Sequence, residues 1–149
     1  MGGASAFDAL GGDRPVRVLL VDDDEDYARY LRRLLGKLHP VQLDIVHDLN
    51  TARHALETGR YALVISDYDL KPGTGLQLLS HARDRQDRGL RILISGNTSQ
   101  VPIEASDAAH YVWDKSWEIE LLKGFAEAAL RTASRIPTGE MVRKPELEQ

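Results

Sequence analysis

The chain has 149 residues, enough for one domain with a sizeable core, and its 42% apolar and 28% charged residues exclude a disordered or fibrous protein. The absence of cysteine excludes disulfides and thiolate metal sites, and a net charge of −4 argues against a nucleic-acid-binding surface. No apolar run reaches the roughly 20 residues of a membrane span, and residues 1–15 lack the pattern of a signal peptide. We therefore expect a cytoplasmic protein that binds neither nucleic acid nor membrane.

The first half of the chain alternates between predicted strands and helices. Residues 1–14 have no periodicity and predict a disordered leader. Residues 16–21, VRVLLV, form a nearly continuous apolar run, which is typical of a strand buried on both faces of a parallel sheet. The next predicted elements are a helix at 26–38, a strand at 41–46, a helix at 51–58 and a strand at 61–66.

The second half continues this alternation with one weak unit. Residues 96–110 contain Pro102 and scattered small residues, which predict a short or irregular fourth helix. Residues 136–149 are polar, carry two prolines and predict a flexible tail, which leaves 15–135 as the folded domain. The other predicted elements are a helix at 76–88 ended by Gly89, strands at 91–94 and 111–113, and a last helix at about 117–134.

This alternation predicts an α/β fold, a doubly wound five-stranded parallel sheet with helices on both faces. In such sheets the ligand binds beyond the carboxyl ends of the strands. The residues that follow each predicted strand are therefore the candidates for function.

Acidic residues follow the first predicted strand. Asp24, Glu25 and Asp26 suit the first turn of a helix, where acids cap the backbone and complement the helix dipole. Capping of the helix does not require Asp22 and Asp23 as well. Two carboxylates about 4 Å apart repel by roughly 4 kcal/mol at an effective dielectric near 20, and a divalent cation or a bound proton would relieve that cost.

Three further polar residues end other predicted strands at the same edge. Asp67 ends the third strand, Ser95 the fourth and Lys115 the fifth. Carboxylate ligands with open positions suit Mg²⁺ or Mn²⁺. The set predicts phosphoryl transfer to a carboxylate: Asp67 as the nucleophile, a metal held by Asp23 and Asp67, and Lys115 and Ser95 contacting phosphoryl oxygens.

Four sequence motifs resemble those of the receiver domain of two-component response regulators over residues 16–134. The motifs, in order, are VLLVDD, SDYDLKPGTG, ILISG and WDKS. The resemblance implies the strand order 2-1-3-4-5, dependence on Mg²⁺, and phosphate received from a histidine kinase or a histidine phosphotransfer protein. The DYxL loop and the reduced fourth helix are similar to those of receivers in hybrid kinases.

The resemblance also assigns roles to individual residues. It implies Asp22 and Asp23 as the acidic pair, Asp67 as the phosphoacceptor, Ser95 as the hydroxyl, Lys115 as the lysine and Asp69 as a backbone-carbonyl ligand of the metal. Two positions depart from the family pattern. Ser116 replaces a proline that follows the lysine in a cis peptide, and because a cis bond without proline costs about 2.5–4 kcal/mol, the isomer is left open. Val112 replaces an aromatic switch residue and lies between Tyr111 and Trp113.

Two alternative functions remain open from the sequence. Asp67-Tyr68-Asp69 after a buried strand resembles the signature of haloacid-dehalogenase phosphatases, although the acidic pair lies on the other side of the nucleophile in that family. A phosphorylation-independent pseudo-receiver is the other alternative, although such modules usually lack an acid, the acceptor or the lysine. The five histidines show no ligand spacing, and we assign them no role.

The last predicted helix carries more apolar surface than one sheet face needs. One stripe, which we expect the sheet to cover, consists of Ile119, Leu122, Ala126, Ala129 and Leu130. A second stripe consists of Leu121, Phe125 and Ala128. It predicts either a partner surface, including a homodimer contact through this helix, or simply a wide core-facing stripe. Tyr111 and Trp113 are either a partner-binding pair or, as we expect of aromatic residues in a short strand, part of the core. The downstream partner is not indicated.

Overall fold

The computed structural model of the chain describes residues 14–85 and 88–137. Residues 1–13 of the predicted leader and residues 138–149 of the predicted tail lie outside the described residues, so both remain predictions. The five strands are β1 (Val16–Val21), β2 (Val41–Val46), β3 (Leu63–Asp67), β4 (Leu90–Ser95) and β5 (Tyr111–Asp114). The helices are α1 (Glu25–Leu38), α2 (Leu49–Thr58), α3 (Gly75–Asp84), α4 (Ala105–Ala108) and α5 (Ile119–Ala133), with a 3₁₀ turn at Thr98–Gln100.

All strands are parallel and lie in the order β2-β1-β3-β4-β5. This confirms the predicted fold class and strand order. The register pairs Val21 with Val46, Asp67 with Ile94 and Ser95 with Asp114. The carboxyl ends of β1, β3, β4 and β5 therefore meet at one edge of the sheet.

The three central strands are buried on both faces, which explains their continuous apolar runs. Val18 and Leu20 of β1 face a core cluster with α1 and α5, whereas Leu19 and Val21 face a second cluster with α2, α3 and α4. Alternate residues of β3 and β4 divide in the same way. The sheet is therefore the middle layer of three, and its polar side chains concentrate at the strand ends.

Helix starts follow the capping residues closely. Asp24 caps α1 by accepting hydrogen bonds from the backbone N–H groups of Asp26 and Tyr27, as the acidic run predicts. α2 begins at Leu49 rather than at 51, because Asp48 caps it through the Thr51 N–H group. In α3, Thr74 and Gln77 form a reciprocal capping box.

The predicted end of the third helix is wrong. α3 ends at Asp84 instead of residue 88. Gly89 is not a helix terminus, because it approaches the backbone of Tyr61 so closely that an added Cβ would lie 2.4 Å from the Tyr61 carbonyl oxygen. The chain must therefore leave the helix early enough to bring Gly89 against the sheet before β4.

The fourth helix is short, as predicted. The segment between β4 and β5 contains the 3₁₀ turn and the four residues of α4, of which Ala105 and Ala108 are buried. In the described residues, no helix is long and apolar enough to cross a membrane.

Two predictions of burial near β5 and α5 are wrong. Ile119 is 46% exposed although its stripe was expected to be covered, and it occupies the first position of α5. Tyr111 is 55% exposed because β5 is an edge strand, whereas Trp113 is fully buried, as predicted. Leu122, Ala126, Ala129 and Leu130 are buried as predicted, while Leu121 and Phe125 are exposed.

Candidate functional site

Hydrogen bonds hold both the backbone and the side chain of Asp22, the residue directly after β1. The Asp22 N–H group donates to the Val46 carbonyl at 3.1 Å, and the Asp22 carbonyl accepts from His47 Nδ1 at 2.8 Å. The Asp22 side chain is completely buried, and its Oδ1 accepts the Asp24 N–H group at 2.9 Å. Asp23, next along the chain, is exposed. One carboxylate of the acidic pair is therefore rigidly held, and the other faces solvent.

Asp67 lies at the end of β3, with only 5% of its surface exposed. The following Tyr68 N–H group donates to the Ile94 carbonyl at 2.8 Å, which keeps the strand end next to β4. Gly75 begins α3 against the same backbone, and a Cβ there would lie 2.2 Å from the Asp67 carbonyl oxygen. The glycine allows the helix to pack against the strand end that carries Asp67.

Lys115 follows β5 and reaches across the edge of the sheet to both buried acids. Its Nζ lies 2.9 Å from Asp22 Oδ2 and 3.4 Å from Asp67 Oδ1. The Lys115 N–H group donates to the Ser95 carbonyl at 2.9 Å, which ties the lysine to the end of β4. Burial disfavours the ammonium charge, but the neighbouring carboxylates of Asp22 and Asp67 outweigh this effect and raise the pKa of Lys115.

Ser95 ends β4, and its side chain is buried. Its Oγ accepts the Asn97 N–H group at 3.0 Å. A hydroxyl can accept one hydrogen bond and still donate another, so this contact leaves the Ser95 proton available to a ligand at the strand ends.

Burial and a neighbouring acid raise the pKa of Asp67. Burial, the first cause, and the negative charge of Asp22 together raise the pKa of Asp67 to about 7, although Lys115 acts in the opposite direction. Without a further positive charge, the carboxyl group is therefore partly protonated near neutral pH. An added cation would favour the ionised form.

Three carboxylates offer ligand atoms for such a cation. One oxygen from each of Asp22, Asp23 and Asp67 lies within 4.8 Å of the others. Asp22 Oδ2 is buried, and its close polar contact is the Lys115 ammonium group, 2.9 Å away. Oxygen ligands with open positions fit Mg²⁺ or Mn²⁺.

Asp69 lies two residues beyond Asp67 and forms an isolated bridge with Thr74. Its side chain is exposed and does not belong to the carboxylate cluster. The expected role of its carbonyl as a metal ligand remains a prediction.

The turn after Lys115 is held by Asp114 and Ser116. Asp114 Oδ1 accepts the Ser116 N–H group at 2.8 Å and the Ser116 hydroxyl at 2.7 Å, and these hydrogen bonds lower the pKa of Asp114. In the described part of the chain the cis peptide bond is Lys71–Pro72, so Lys115–Ser116 is trans. Val112, at the switch position, is half-buried and packs against the second core cluster.

Two residues of the site were not found by sequence reasoning. His47 was assigned no role but supports the Asp22 backbone, and its place directly after β2 was the available signal. Tyr27 lies in α1 with its ring centroid 4.8 Å from Lys115 Nζ. Burial is the main cause that raises the pKa of Tyr27, with smaller contributions from Tyr30 and Asp22, so its hydroxyl is neutral.

Comparisons with known proteins show which family and which fold this chain shares. A family model described as the response regulator receiver domain matches residues 18–133. No curated protein matches the chain. Solved structures with the same fold include the signal receiver domain of an HD domain-containing protein from Pseudomonas fluorescens Pf-5, which is 25% identical with a TM-score of 0.68, covering 80% of this chain and 98% of that one.

Two further structures have similar scores. The CheY-like receiver domain from Methylobacillus flagellatus is 24% identical with a TM-score of 0.69, covering 78% of this chain and 99% of that one. The response regulator TrrA from Thermotoga maritima, solved in complex with Mg²⁺ and BeF, is 24% identical with a TM-score of 0.69, covering 76% and 98%.

Proposed function

Since this chain belongs to the response-regulator receiver family, we propose that it accepts a phosphoryl group on Asp67 in a Mg²⁺-dependent reaction. The observation that carries the proposal is the position of Asp67, which lies in one cluster with Asp22 and Asp23 while Lys115 Nζ is 3.4 Å away. The proposed donors are a histidine kinase or a histidine phosphotransfer protein, and the proposed setting is the cytoplasm.

Each residue of the site has a role in this proposal. A carboxylate oxygen of Asp67 attacks the phosphorus, and the ammonium group of Lys115 neutralises one phosphoryl oxygen. Ser95 donates its hydroxyl proton to another phosphoryl oxygen. Asp22, Asp23, Asp67 and the Asp69 carbonyl would hold the metal.

Mg²⁺, when bound, would supply positive charge that offsets the clustered carboxylates and the developing charge on the phosphoryl group. The raised pKa of Asp67 supports such a need, because the protonated carboxyl group is a poor nucleophile. The Mg²⁺ and BeF complex of TrrA, which shares this fold, makes Mg²⁺ the first ion to test.

The proposed chemistry is confined to the gain and loss of phosphate by the domain itself. A phosphatase of the haloacid-dehalogenase type would act on separate substrates, and its acidic pair would follow the lysine. Here Asp22 and Asp23 directly follow β1 and precede the nucleophile in the chain. A pseudo-receiver would bind partners through the same fold without any phosphate.

Incubation with acetyl phosphate and Mg²⁺ followed by intact-protein mass spectrometry tests this proposal. We expect wild type to gain one phosphate, a chelator to prevent the gain, and Asp67→Asn to remain unmodified because the nucleophilic oxygen is removed. Lys71→Met, a charge change in the loop after the acceptor, is the control and should be modified like wild type. Modification of Asp67→Asn would show that another residue is the acceptor, and unmodified wild type would favour the pseudo-receiver.

A further inference from the structure

Tyr27 contacts the lysine of the site through the face of its ring. Lys115 Nζ lies 4.8 Å from the ring centroid, within the range of a cation–π interaction. The same ammonium group contacts Asp22 Oδ2 and Asp67 Oδ1. The Lys115 side chain is only 18% exposed, so the ring and the two carboxylates account for much of its surroundings.

The position of the Tyr27 ring is fixed by the start of α1. The Tyr27 N–H group donates to Asp24 Oδ1, the capping carboxylate, at 3.2 Å. The ring also packs against the first core cluster and against Tyr30, whose ring centroid is 5.5 Å away at an angle of 48°. Tyr27 is therefore held between the helix cap and the core.

The hydroxyl group does not explain this placement. Tyr27 Oη is buried and has no hydrogen-bond partner among the described residues. A buried hydroxyl without a partner costs free energy. The favourable contact of Tyr27 at the site is therefore made by its ring.

We propose that Tyr27 is a positioning residue, whose ring holds the Lys115 ammonium group beside Asp67 so that it meets the incoming phosphoryl group. Lysine has a flexible stem and a strongly hydrated charge, so without the ring the ammonium group would move further into solvent. The inference rests on the proposed phosphorylation of Asp67. It adds the residue that orients the lysine.

The step that Tyr27 would assist is simple in atoms and charge. An Asp67 oxygen forms a bond to the phosphorus of acetyl phosphate, the bond from that phosphorus to the acetate oxygen breaks, and acetate leaves with the electron pair. Lys115 balances negative charge on the phosphoryl oxygens and transfers no proton. Only the placement of its charge depends on Tyr27.

Three variants separate the ring from the hydroxyl and from general packing. Tyr27→Phe keeps the ring and removes the unpartnered hydroxyl. Tyr27→Met keeps length and helix propensity but removes the ring. Tyr30→Met is the matched control, because Tyr30 packs against the same core cluster without a cation–π contact to Lys115 in the described residues.

The contact itself is tested by NMR of the metal-free protein, without any phosphorylation. The side-chain protons of Lys115 near Nζ should be shifted upfield by the ring current in wild type, Tyr27→Phe and Tyr30→Met. The shift should be lost in Tyr27→Met. Its persistence in Tyr27→Met, or its absence from wild type, would overturn the proposal.

The role is tested by the rate of phosphorylation with acetyl phosphate and Mg²⁺. We expect Tyr27→Met to be slower by about three- to tenfold, from the usual strength of a partly desolvated cation–π contact, and the other two variants to match wild type. Equal rates for Tyr27→Met and Tyr30→Met, or an equal loss in Tyr27→Phe, would overturn the proposal.

The test also covers a Tyr27→Met variant that does not fold and a wild type that gains no phosphate. If Tyr27→Met does not fold by circular dichroism, Tyr27→Trp replaces it, and a faster or unchanged rate is expected because Trp is the strongest cation–π partner. A slower rate for a folded Tyr27→Trp with an intact upfield shift would overturn the proposal. If wild type gains no phosphate, the proposed function fails, and the NMR result alone then decides whether the ring holds the lysine.

Discussion

At the scale of single residues, the ionisation of Asp67 links the stability of the domain to its chemistry. Burial and the neighbouring Asp22 raise its pKa to about 7, while the Lys115 ammonium group opposes this rise. An ordinary aspartate in an unfolded chain ionises near pH 4. Between these two values the folded chain binds a proton that the unfolded chain does not bind.

This difference predicts how stability depends on pH in the absence of metal. Because the folded state binds more protons, the free energy of unfolding falls as pH rises from about 4 through about 7, and the decline ends above the folded pKa. Between pH 5 and pH 8 we therefore expect Asp67 to lower the free energy of unfolding progressively. Urea unfolding in a chelator measures it.

Asp67→Asn is the control for this prediction, because other groups also titrate in the same range. The pH profile of the variant should be flatter than that of wild type, and Mg²⁺ should flatten the wild-type profile by favouring the ionised carboxylate. Parallel profiles for wild type and Asp67→Asn would contradict the raised pKa.

At the scale of elements, the outer strand β2 supports the site without contributing a ligand to it. Val46 and His47 hold the N–H and carbonyl groups of Asp22. Since a carbonyl oxygen only accepts, His47 Nδ1 is the donor, which assigns the tautomer of this histidine. The anchored backbone in turn orients the buried Asp22 carboxylate toward Lys115.

The hydrogen bond from His47 to Asp22 predicts that His47 affects metal binding although it is not itself a metal ligand. His47→Phe removes the donor and should lower the free energy of unfolding by about 1 kcal/mol and weaken Mg²⁺ binding severalfold. His47→Asn places an N–H donor at the same number of bonds from the backbone and should retain much of both. Isothermal titration and urea unfolding measure the two effects.

His39 provides a matched control for His47. Its Nδ1 contacts the Pro40 carbonyl at 2.9 Å. This contact lies between α1 and β2, at the amino ends of the strands, whereas the site lies at their carboxyl ends. His39→Phe should leave Mg²⁺ binding unchanged. Equal weakening by His39→Phe and His47→Phe would show that the effect is not specific to the support of Asp22.

At the scale of the whole molecule, exposed apolar side chains continue from β5 to α5. Leu121 and Phe125 are 48% and 42% exposed, and the Phe125 ring stacks on Trp117 with centroids 4.8 Å apart. A groove of about 460 Å³ lies beside them, and its lining includes Ile103, Tyr111 and Trp117. Lys115 lies between β5 and α5 in the chain, so a phosphoryl group that moves the lysine acts close to this surface.

We expect the α5 strip of Leu121, Phe125 and Ala128 to bind a partner after phosphorylation, including a second copy of the chain. Phe125→Asp should abolish phosphorylation-dependent association, because it places a charge in the apolar strip, while Asp67 is still phosphorylated. Light scattering with acetyl phosphate measures the association.

Gly36→Asp is the control for Phe125→Asp. It adds the same charge on an exposed position of α1, where an added side chain meets no atom within 4 Å. This variant should associate like wild type. Association of Phe125→Asp at the wild-type level would show that the α5 strip is not the output surface.

Much of the fold follows from local sequence patterns. The runs 16–21 and 61–66 are apolar at nearly every position, so they indicate buried parallel strands without knowledge of their neighbours. The carboxyl ends of parallel strands lie at the same end of a sheet. The sequence therefore predicts, without any known contact, that Asp22, Asp67, Ser95 and Lys115 lie close together. Capping residues such as Asp24 likewise act within one turn of the chain.

Tertiary structure alone decided which side chains meet across elements. Ile119 and Tyr111 have apolar or aromatic side chains like their buried neighbours, yet their positions at a helix start and on an edge strand leave them exposed. The contacts of His47 with Asp22 and of Tyr27 with Lys115 join residues far apart in the chain. Such contacts depend on how the elements pack in three dimensions, which no local pattern records, whereas strand and helix periodicity is a property of each segment by itself.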